Sequence, residues 1–304
     1  MLWSTSDPEA TGDRLEGDKR AGTQAMSQGR RFTALGAFSV GALCSAATAA
    51  ILKSSPPGGV ERWTRKSHTG HPVTLFEGPA YTVGALAGAC SAGAGVPSAV
   101  ACLGAGAFGA LDDLVGNSAS RGLRGHLAAA RRGEVTTGAI KMMGLGVTGL
   151  ISARIIDRPQ PRTGALTTLV GGAVIAGSAN IANLLDLRPG RALKVVLLLA
   201  VPIFAGGRGS HLATATAGAA AGAAIGVLPG DLAGRSMLGD TGANTAGALL
   251  GTALVARTGQ RGRLMALAGV TALTLASEKV SFTAVIESTP GLRELDALGR
   301  PSPS

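Results

Sequence analysis

Long apolar blocks alternate with short polar connections along most of the chain. Each block is close to the roughly 20 residues that a helix needs to cross the hydrocarbon core of a bilayer. The blocks are dense in Gly and Ala, as is typical of membrane helices that pack through small residues. The pattern predicts an all-α, polytopic membrane helix bundle of about nine transmembrane helices, at 32–52, 76–95, 96–111, 135–156, 163–185, 192–208, 210–229, 241–257 and 263–286.

The two ends of the chain differ from the apolar region between them. Residues 1–31 are polar and lack apolar periodicity, so we expect a disordered tail there. Residues 32–288 form the predicted transmembrane domain, and 289–304 a short polar C-terminal tail. A cleaved signal peptide is an alternative for the first block, because Arg30 and Arg31 precede it. The many later blocks favour a retained first helix.

Composition supports a membrane protein and argues against a nucleic-acid-binding one. Hydrophobic residues make up 46% of the chain and charged residues only 15%, which is too few for an ordinary soluble domain. The 28 basic and 18 acidic residues leave a net charge of +10. The basic residues lie between the apolar blocks, where the positive-inside rule accounts for them, and no nucleic-acid partner is expected. Their bias puts the loops 53–75, 112–134, 186–191 and 230–240 on the cytoplasmic side.

Acidic residues occur at the predicted cytoplasmic ends of separate helices. Asp112 and Asp113 follow an apolar helix, and two adjacent carboxylates are tolerated where a divalent cation or a proton lies between them. Asp231 precedes Asp240, and Asp240 lies between two glycines at a helix start, where unpaired N–H groups allow an anion to approach. Taken singly, a solvated helix end and a capping aspartate explain these residues as well.

A polar stripe ends another apolar helix. Asn180, Asn183 and Asp186 recur every three residues and therefore stay near one helix face. Such groups suit a sugar, a nucleotide or a metal-bound water, or else hydrogen bonds between helices. Arg188 and Arg191 follow and are natural phosphate partners, although positive-inside signals would also explain them.

Together the acidic clusters predict a Mg²⁺ site, because Mg²⁺ prefers few carboxylates plus substrate phosphates. Nearby basic residues would then hold the phosphates of an anionic substrate. The candidates are Arg65, Lys66, Arg124, Lys141, Arg188 and Arg191.

The order of these motifs resembles the polyprenyl-phosphate N-acetylhexosamine-1-phosphate transferases, the membrane family that contains MraY and its WecA-like relatives. The matching elements are a double aspartate after the third helix, an Asn-x-x-Asn-x-x-Asp stripe after the fifth and a Gly-Asp-x-Gly before the eighth. A weaker match lies in the first cytoplasmic loop, at Lys66-Ser-His-Thr-Gly-His-Pro and Glu77-Gly78-Pro79. The resemblance spans about residues 60–260.

The resemblance implies a Mg²⁺-dependent glycosyl-1-phosphate transferase in the bacterial cell membrane, with its active site on the cytoplasmic face. It would move a sugar-1-phosphate from a UDP-N-acetylhexosamine to a polyprenyl phosphate and release UMP, in peptidoglycan or other envelope polysaccharide synthesis. By analogy Asp112, Asp113 and Asp240 are catalytic, and Asp240 and Asp113 bind the metal. The implied substrate-binding residues are Lys66, Lys141, Asn180, Asn183, Asp186, Arg188 and Arg191.

Two departures from the family pattern keep other functions open. Pro189 stands where the family's stripe continues to a second aspartate, and the segment 278–300 has no histidine where the family has a His-rich loop. A catalytically inactive relative that acts as a membrane partner or regulator of envelope synthesis is therefore the main alternative. A small-solute transporter is a third reading. The identity of the sugar, the polymer pathway and homodimer formation stay open.

Overall fold

The computed structural model describes residues 8–67, 70–116, 131–133, 136–160, 163–205 and 210–301. The chain is 79% helical, which confirms the all-α class. Its helices are α1 (Pro8–Ser54), α2 (Glu77–Ser91), α3 (Gly95–Val115), α4 (Thr137–Asp157), α5 (Ala165–Leu185), α6 (Arg191–Ala205), α7 (His211–Leu232), α8 (Gly239–Arg257), α9 (Gln260–Ser277), α10 (Phe282–Ser288) and α11 (Leu292–Ala297). A 3₁₀ turn (Val60–Trp63) and two short strands, β1 (Thr64–Lys66) and β2 (Pro72–Thr74), lie between α1 and α2.

Several of these helices are long and apolar enough to cross a membrane. Within the described ranges there are five such helices, namely α1 from Gln28 onward, α3, α4, α5 and α7. A sixth results if α9 and α10, which meet at a bend of 93°, are taken as one broken span. Helices α2 and α6, with 15 residues each, and α8 are outside this set. The protein is therefore a candidate multi-pass membrane protein.

The bundle core is built from backbones in close contact. Helix α7 is the most enclosed of the candidate spans and packs against α1, α2, α6 and α8. A Cβ added to Gly222 on α7 would lie 2.0 Å from the carbonyl oxygen of Phe38 on α1. A Cβ on Gly247 of α8 would lie 2.2 Å from the carbonyl oxygen of Ser178 on α5. The Gly and Ala blocks thus let helices approach at distances that larger side chains would prevent.

The two ends of the chain contain more structure than the sequence analysis expects. Helix α1 begins at Pro8 and runs without a break into the first apolar block, although a disordered tail is predicted through residue 31. Extending an existing helix requires no new nucleation, which favours helix across polar residues. At the other end α11 folds within the predicted tail 289–304.

The predicted span 263–286 is divided into two helices. Helix α9 ends at Ser277, and the Ser281 hydroxyl oxygen accepts a hydrogen bond from the Ala284 N–H at 3.3 Å. This side-chain cap starts α10 in a new direction. The split expected at Gly95–Pro97 is present, with α2 ending at Ser91 and α3 beginning at Gly95.

The small hairpin joins the first connection to the segment before α8. Strands β1 and β2 pair antiparallel with Lys66 opposite Pro72. The Thr74 N–H donates to the Arg235 carbonyl at 3.2 Å, and the Met237 N–H donates to the Thr74 carbonyl at 2.9 Å. These bonds hold Lys66 and the segment 231–237 at the same end of the bundle.

Candidate functional site

Three separate helices bring charged side chains to one point at the end of the bundle. Asp112 lies in the last turn of α3, Lys141 in the first turns of α4 and Asp240 in the first turn of α8. The Lys141 Nζ donates to Asp112 Oδ2 at 2.8 Å and also to Asp240 Oδ2. The three side chains are only 12–22% exposed. A single ammonium therefore bridges two carboxylates that come from distant parts of the sequence.

Asp113 joins the same site in a different way. Its carboxylate accepts hydrogen bonds from the Asp240 N–H at 3.0 Å, from the Thr241 N–H at 2.8 Å and from the Thr241 hydroxyl at 2.6 Å. These N–H groups have no partner within α8, so Asp113 caps this helix from α3 and complements its dipole. The close approach depends on Gly109, where an added Cβ would lie 2.4 Å from the Asp240 carbonyl oxygen. Asp113 thereby holds Asp240 in place.

A cavity of about 830 Å³ opens at the segment that leads into α8, and Asp112, Asp113, Lys141 and Asp240 are not among its lining residues. It is formed by the hairpin, by the turn between α5 and α6, and by the segment that joins α7 to α8. Its lining residues are Lys66, Ser67, His71, Val73, Asp186, Leu187, Arg188, Pro189, Asp231, Gly234, Ser236 and Met237. Of the predicted substrate-binding residues, the structure brings Lys66, Asp186 and Arg188 together here.

The cavity wall contains two buried carboxylate side chains. Asp186 and Asp231 are 7% and 1% exposed, and the Oδ2 atom of each has no hydrogen-bond partner among the described residues. Burial raises the pKa of Asp186 well above its usual value, and the nearby Asp231 and Glu77 carboxylates raise this pKa further. Such atoms are ready to accept hydrogen bonds from a ligand.

Glu77 is a functional candidate that the sequence analysis assigned no role of its own. It is the first residue of α2, it is fully buried, and both of its carboxylate oxygens are without a hydrogen-bond partner among the described residues. A Cβ added to Gly230 would lie 2.3 Å from Glu77 Oε1 and 3.3 Å from Lys53 Nζ, which locates both charged groups beside this glycine. A glutamate that opens an apolar helix was the available signal, but its burial depends on the fold.

Some predicted site residues lie elsewhere. Arg191 is 3% exposed, and its guanidinium donates to Asp296 Oδ1 at 2.8 Å, to Asp296 Oδ2 at 3.0 Å and to the Thr283 hydroxyl at 2.8 Å. The prediction that Arg191 binds substrate is corrected on this ground, because these contacts occupy all three guanidinium nitrogens. Asn180 and Asn183 are half-buried on α5 and are not among the residues that line the cavity. Arg124 and His68 lie outside the described residues.

We call the place where Asp112, Lys141 and Asp240 meet the convergence point. The side chains there fit a divalent cation that also binds substrate phosphates. Asp112 and Asp240 direct one oxygen each to the same cationic atom, and Mg²⁺ in phosphate-transferring sites takes one or two carboxylates from the protein. Both Asp113 oxygens are bonded to the start of α8, so this residue fits the predicted metal-ligand role less well. Within the described ranges, no group of three or more His, Cys, Asp and Glu side chains is arranged to hold a metal by itself.

No protein-family model and no curated protein matches the chain. The assignment of a function therefore depends on the geometry of the site.

Proposed function

We propose that this protein is an integral-membrane phosphotransferase that moves a sugar-1-phosphate from a UDP-N-acetylhexosamine to a polyprenyl phosphate and releases UMP. The observation that carries the proposal is the convergence of Asp112, Asp240 and Lys141 at the start of α8, next to the segment 231–237 that lines a cavity of about 830 Å³. Phosphoryl transfer needs mainly positioning and charge neutralisation, and this combination of carboxylates and cations supplies both.

The charged residues take distinct roles in this proposal. Asp112 and Asp240 would hold Mg²⁺, which neutralises negative charge on the transferred phosphate when it is bound. Lys141, already within reach of both carboxylates, would donate to a phosphate oxygen of the substrate. Asp113 would act through position, because its bonds to the Asp240 and Thr241 N–H groups keep Asp240 aimed at the metal.

The cavity would receive the nucleotide-sugar. Lys66 and Arg188 are cationic and line it, so they suit the diphosphate. The unpaired oxygens of Asp186 and Asp231 would accept hydrogen bonds from hydroxyl or imide N–H groups of the same ligand. The apolar part of a polyprenyl phosphate would remain in the bilayer beside the bundle.

The membrane arrangement follows from the same proposal. If α2, α6 and α8 also cross, together with the bent pair α9 and α10, the chain has about nine spans. The site would face the cytoplasm of a bacterial cell, since the loops around it carry the excess of Lys and Arg.

The decisive experiment measures UMP release by the purified full-length protein in detergent. The donors are UDP-N-acetylglucosamine and UDP-N-acetylmuramoyl-pentapeptide, the acceptor is undecaprenyl phosphate, and each reaction is run with and without Mg²⁺. We expect Mg²⁺-dependent release that Asp112→Asn and Asp240→Asn reduce by about 10² or more. Glu61→Gln, which changes an exposed acid of the 3₁₀ turn, is the matched control. No release from either donor by a folded preparation would contradict the proposal.

A second candidate is a catalytically inactive relative that acts as a membrane partner in envelope synthesis. One observation favours it, namely that Lys141 already forms ion pairs with both Asp112 and Asp240, as in a purely structural ion network. This candidate expects no UMP release and a melting temperature that does not respond to Mg²⁺.

A further inference from the structure

The last part of the chain packs across one wall of the cavity. We call residues 282–300, which include α10 and α11, the C-terminal clamp. Residues 186–191, from the end of α5 to the first residue of α6, are called the wall turn. The clamp contacts three residues of the wall turn through hydrogen bonds: Arg188 Nη2 donates to Glu287 Oε1 at 2.8 Å, Arg300 Nε donates to the Pro189 carbonyl at 2.8 Å, and Arg191 pairs with Asp296.

The pair between Arg191 and Asp296 is the centre of this contact. The two side chains are 3% and 9% exposed, and both carboxylate oxygens accept from the guanidinium at 2.8 and 3.0 Å. Arg300 adds a second cation at 2.9 Å from Asp296 Oδ2. Two-point arginine–carboxylate pairing fixes orientation as well as distance. By contrast, the pair between Arg188 and Glu287 is 28% and 52% exposed and contributes little to docking.

Further contacts hold the clamp at the start of α6. The Lys194 ammonium donates to the carbonyl oxygens of Leu295 and Asp296 at 3.1 and 2.5 Å, where α11 ends. Cations are favourable at a helix C-terminus because they satisfy unpaired carbonyl groups. Leu232, at the end of α7, also meets both segments. A Cβ added to Gly190 or Gly299 would lie 2.4 or 3.1 Å from its side chain.

We propose that Asp296 is a positioning residue for the cavity. Through Arg191 it fixes the wall turn, and the wall turn in turn directs Asp186 and Arg188 into the cavity. Asp296 itself is not among the cavity-lining residues, so its influence on a ligand passes through the turn. The identity of the ligand rests on the proposed function, whereas the mechanical link between clamp and turn does not.

The test combines a distance measurement with ligand binding. Cys44, Cys90 and Cys102 are replaced by serine, and spin labels are attached at positions 187 and 298, where the native leucines are 57% and 65% exposed. Pulsed electron–electron double resonance then reports the distribution of distances between clamp and wall turn in the full-length protein. Isothermal titration with UMP, without labels, reports cavity binding.

We expect Asp296→Asn to broaden the distance distribution and to raise the Kd for UMP about tenfold, because a displaced binding group loses affinity steeply. Asp296→Glu and the double exchange Arg191→Asp with Asp296→Arg should restore both readouts in part. Glu294→Gln is the matched control, since it changes an exposed acid on the same helix. In turnover assays Asp296→Asn should raise KM more than it lowers kcat.

Each outcome has a definite meaning. An unchanged distance distribution in Asp296→Asn would overturn the proposal, and so would a broadened distribution with an unchanged Kd for UMP. If the unsubstituted protein binds no UMP, the nucleotide function fails. The distance measurement then decides the link between clamp and wall turn by itself, and broadening that the double exchange reverses would support it.

Discussion

Replacing Lys141 with methionine tests the ion network at the convergence point. Methionine keeps most of the apolar stem of lysine but has no charge and no donor. In the variant, Asp112 and Asp240 would face each other without the ammonium that now bonds to both. We expect a less stable protein whose stability depends more strongly on Mg²⁺ than that of the unsubstituted protein.

The size of the effect follows from the distances. At an effective dielectric constant near 20, charges 2.8 Å apart attract by about 6 kcal/mol, which is the upper bound for the pair of Lys141 with Asp112. Both carboxylates reach the same Nζ atom, so their nearest oxygens are within about 6 Å and repel by about 3 kcal/mol without it. Desolvation of the ammonium offsets part of this loss, and the side chains retain 12–22% exposure. A net destabilisation of about 2–3 kcal/mol results.

Thermal unfolding of the purified protein in detergent measures this change. A loss of this size lowers the Tm by about 3–5 °C in a chain of 304 residues. Mg²⁺ should then recover part of the loss in Lys141→Met, since a cation that binds only the folded state adds about 1.4 kcal/mol at ten times its Kd. Ca²⁺ at the same concentration separates selective coordination from general screening, and added NaCl measures the screening alone.

The control is Arg154→Met, which removes an exposed cation from the opposite end of α4. It should change the free energy of unfolding by about 0.5 kcal/mol or less, as is typical of surface substitutions, and therefore hardly shift the Tm. If Lys141→Met unfolds at the same temperature as the unsubstituted protein, and Mg²⁺ affects neither, then the inferred electrostatic coupling between α3, α4 and α8 is refuted.

Three further predictions concern burial, acidity and close packing. Asp186→Asn should raise the Tm of the ligand-free protein at pH 8. The pKa of Asp186 is raised in the folded protein, so its ionisation costs stability above the usual carboxyl pKa near 3.8, and the gain should shrink towards pH 4. A lower Tm of the variant at pH 8 would contradict this reasoning. Partial burial by itself raises the pKa of Asp296, but hydrogen bonds from Arg191 and Arg300 outweigh it and hold this pKa below 3.8. Docking of the C-terminal clamp, followed by the spin-label distances, should therefore stay constant from pH 8 to 5 and weaken only below about pH 3.8; release near pH 6 would be inconsistent with this pair. Gly222→Ala should destabilise the protein by about 1–3 kcal/mol and lower its Tm, because the new Cβ would lie 2.0 Å from a carbonyl oxygen of α1. The control Gly269→Ala on α9 meets no atom within 4 Å, so it should leave the Tm unchanged or raise it. Equal effects of the two substitutions would count against tight packing of α1 on α7.

Part of the site could be predicted because it depends on positions near helix ends. Asp112, Asp113 and Asp240 follow or precede apolar blocks, so their depth in the membrane is set by block length alone. Helices whose charged ends lie on the same side bring those ends close together, and the structure confirms that these three residues meet. Lys141 was predicted to bind substrate; its bonds to two carboxylates depend on how α3, α4 and α8 pack.

Other features could not be predicted from local pattern. The partner of Arg191 lies 105 residues away on a helix of six residues, within a segment predicted only as a short polar tail. The burial of Glu77 and Asp231 likewise depends on which helices surround them, and the break at Ser281 depends on a single side-chain cap. Each of these features depends on distant residues or on one side-chain hydrogen bond, and the periodicity of hydrophobic residues reports neither.

The sequence alone therefore determines the class of the protein and the ends of the bundle at which its charged residues lie, because both follow from the length of apolar blocks and the cost of burying charge in lipid. Tertiary structure decides how those charges pair. Close contacts through glycine bring Asp113 to the start of α8, and the bend after α9 returns Asp296 to Arg191. Pairing depends on distances of a few ångströms between helices, which no spacing along the chain encodes.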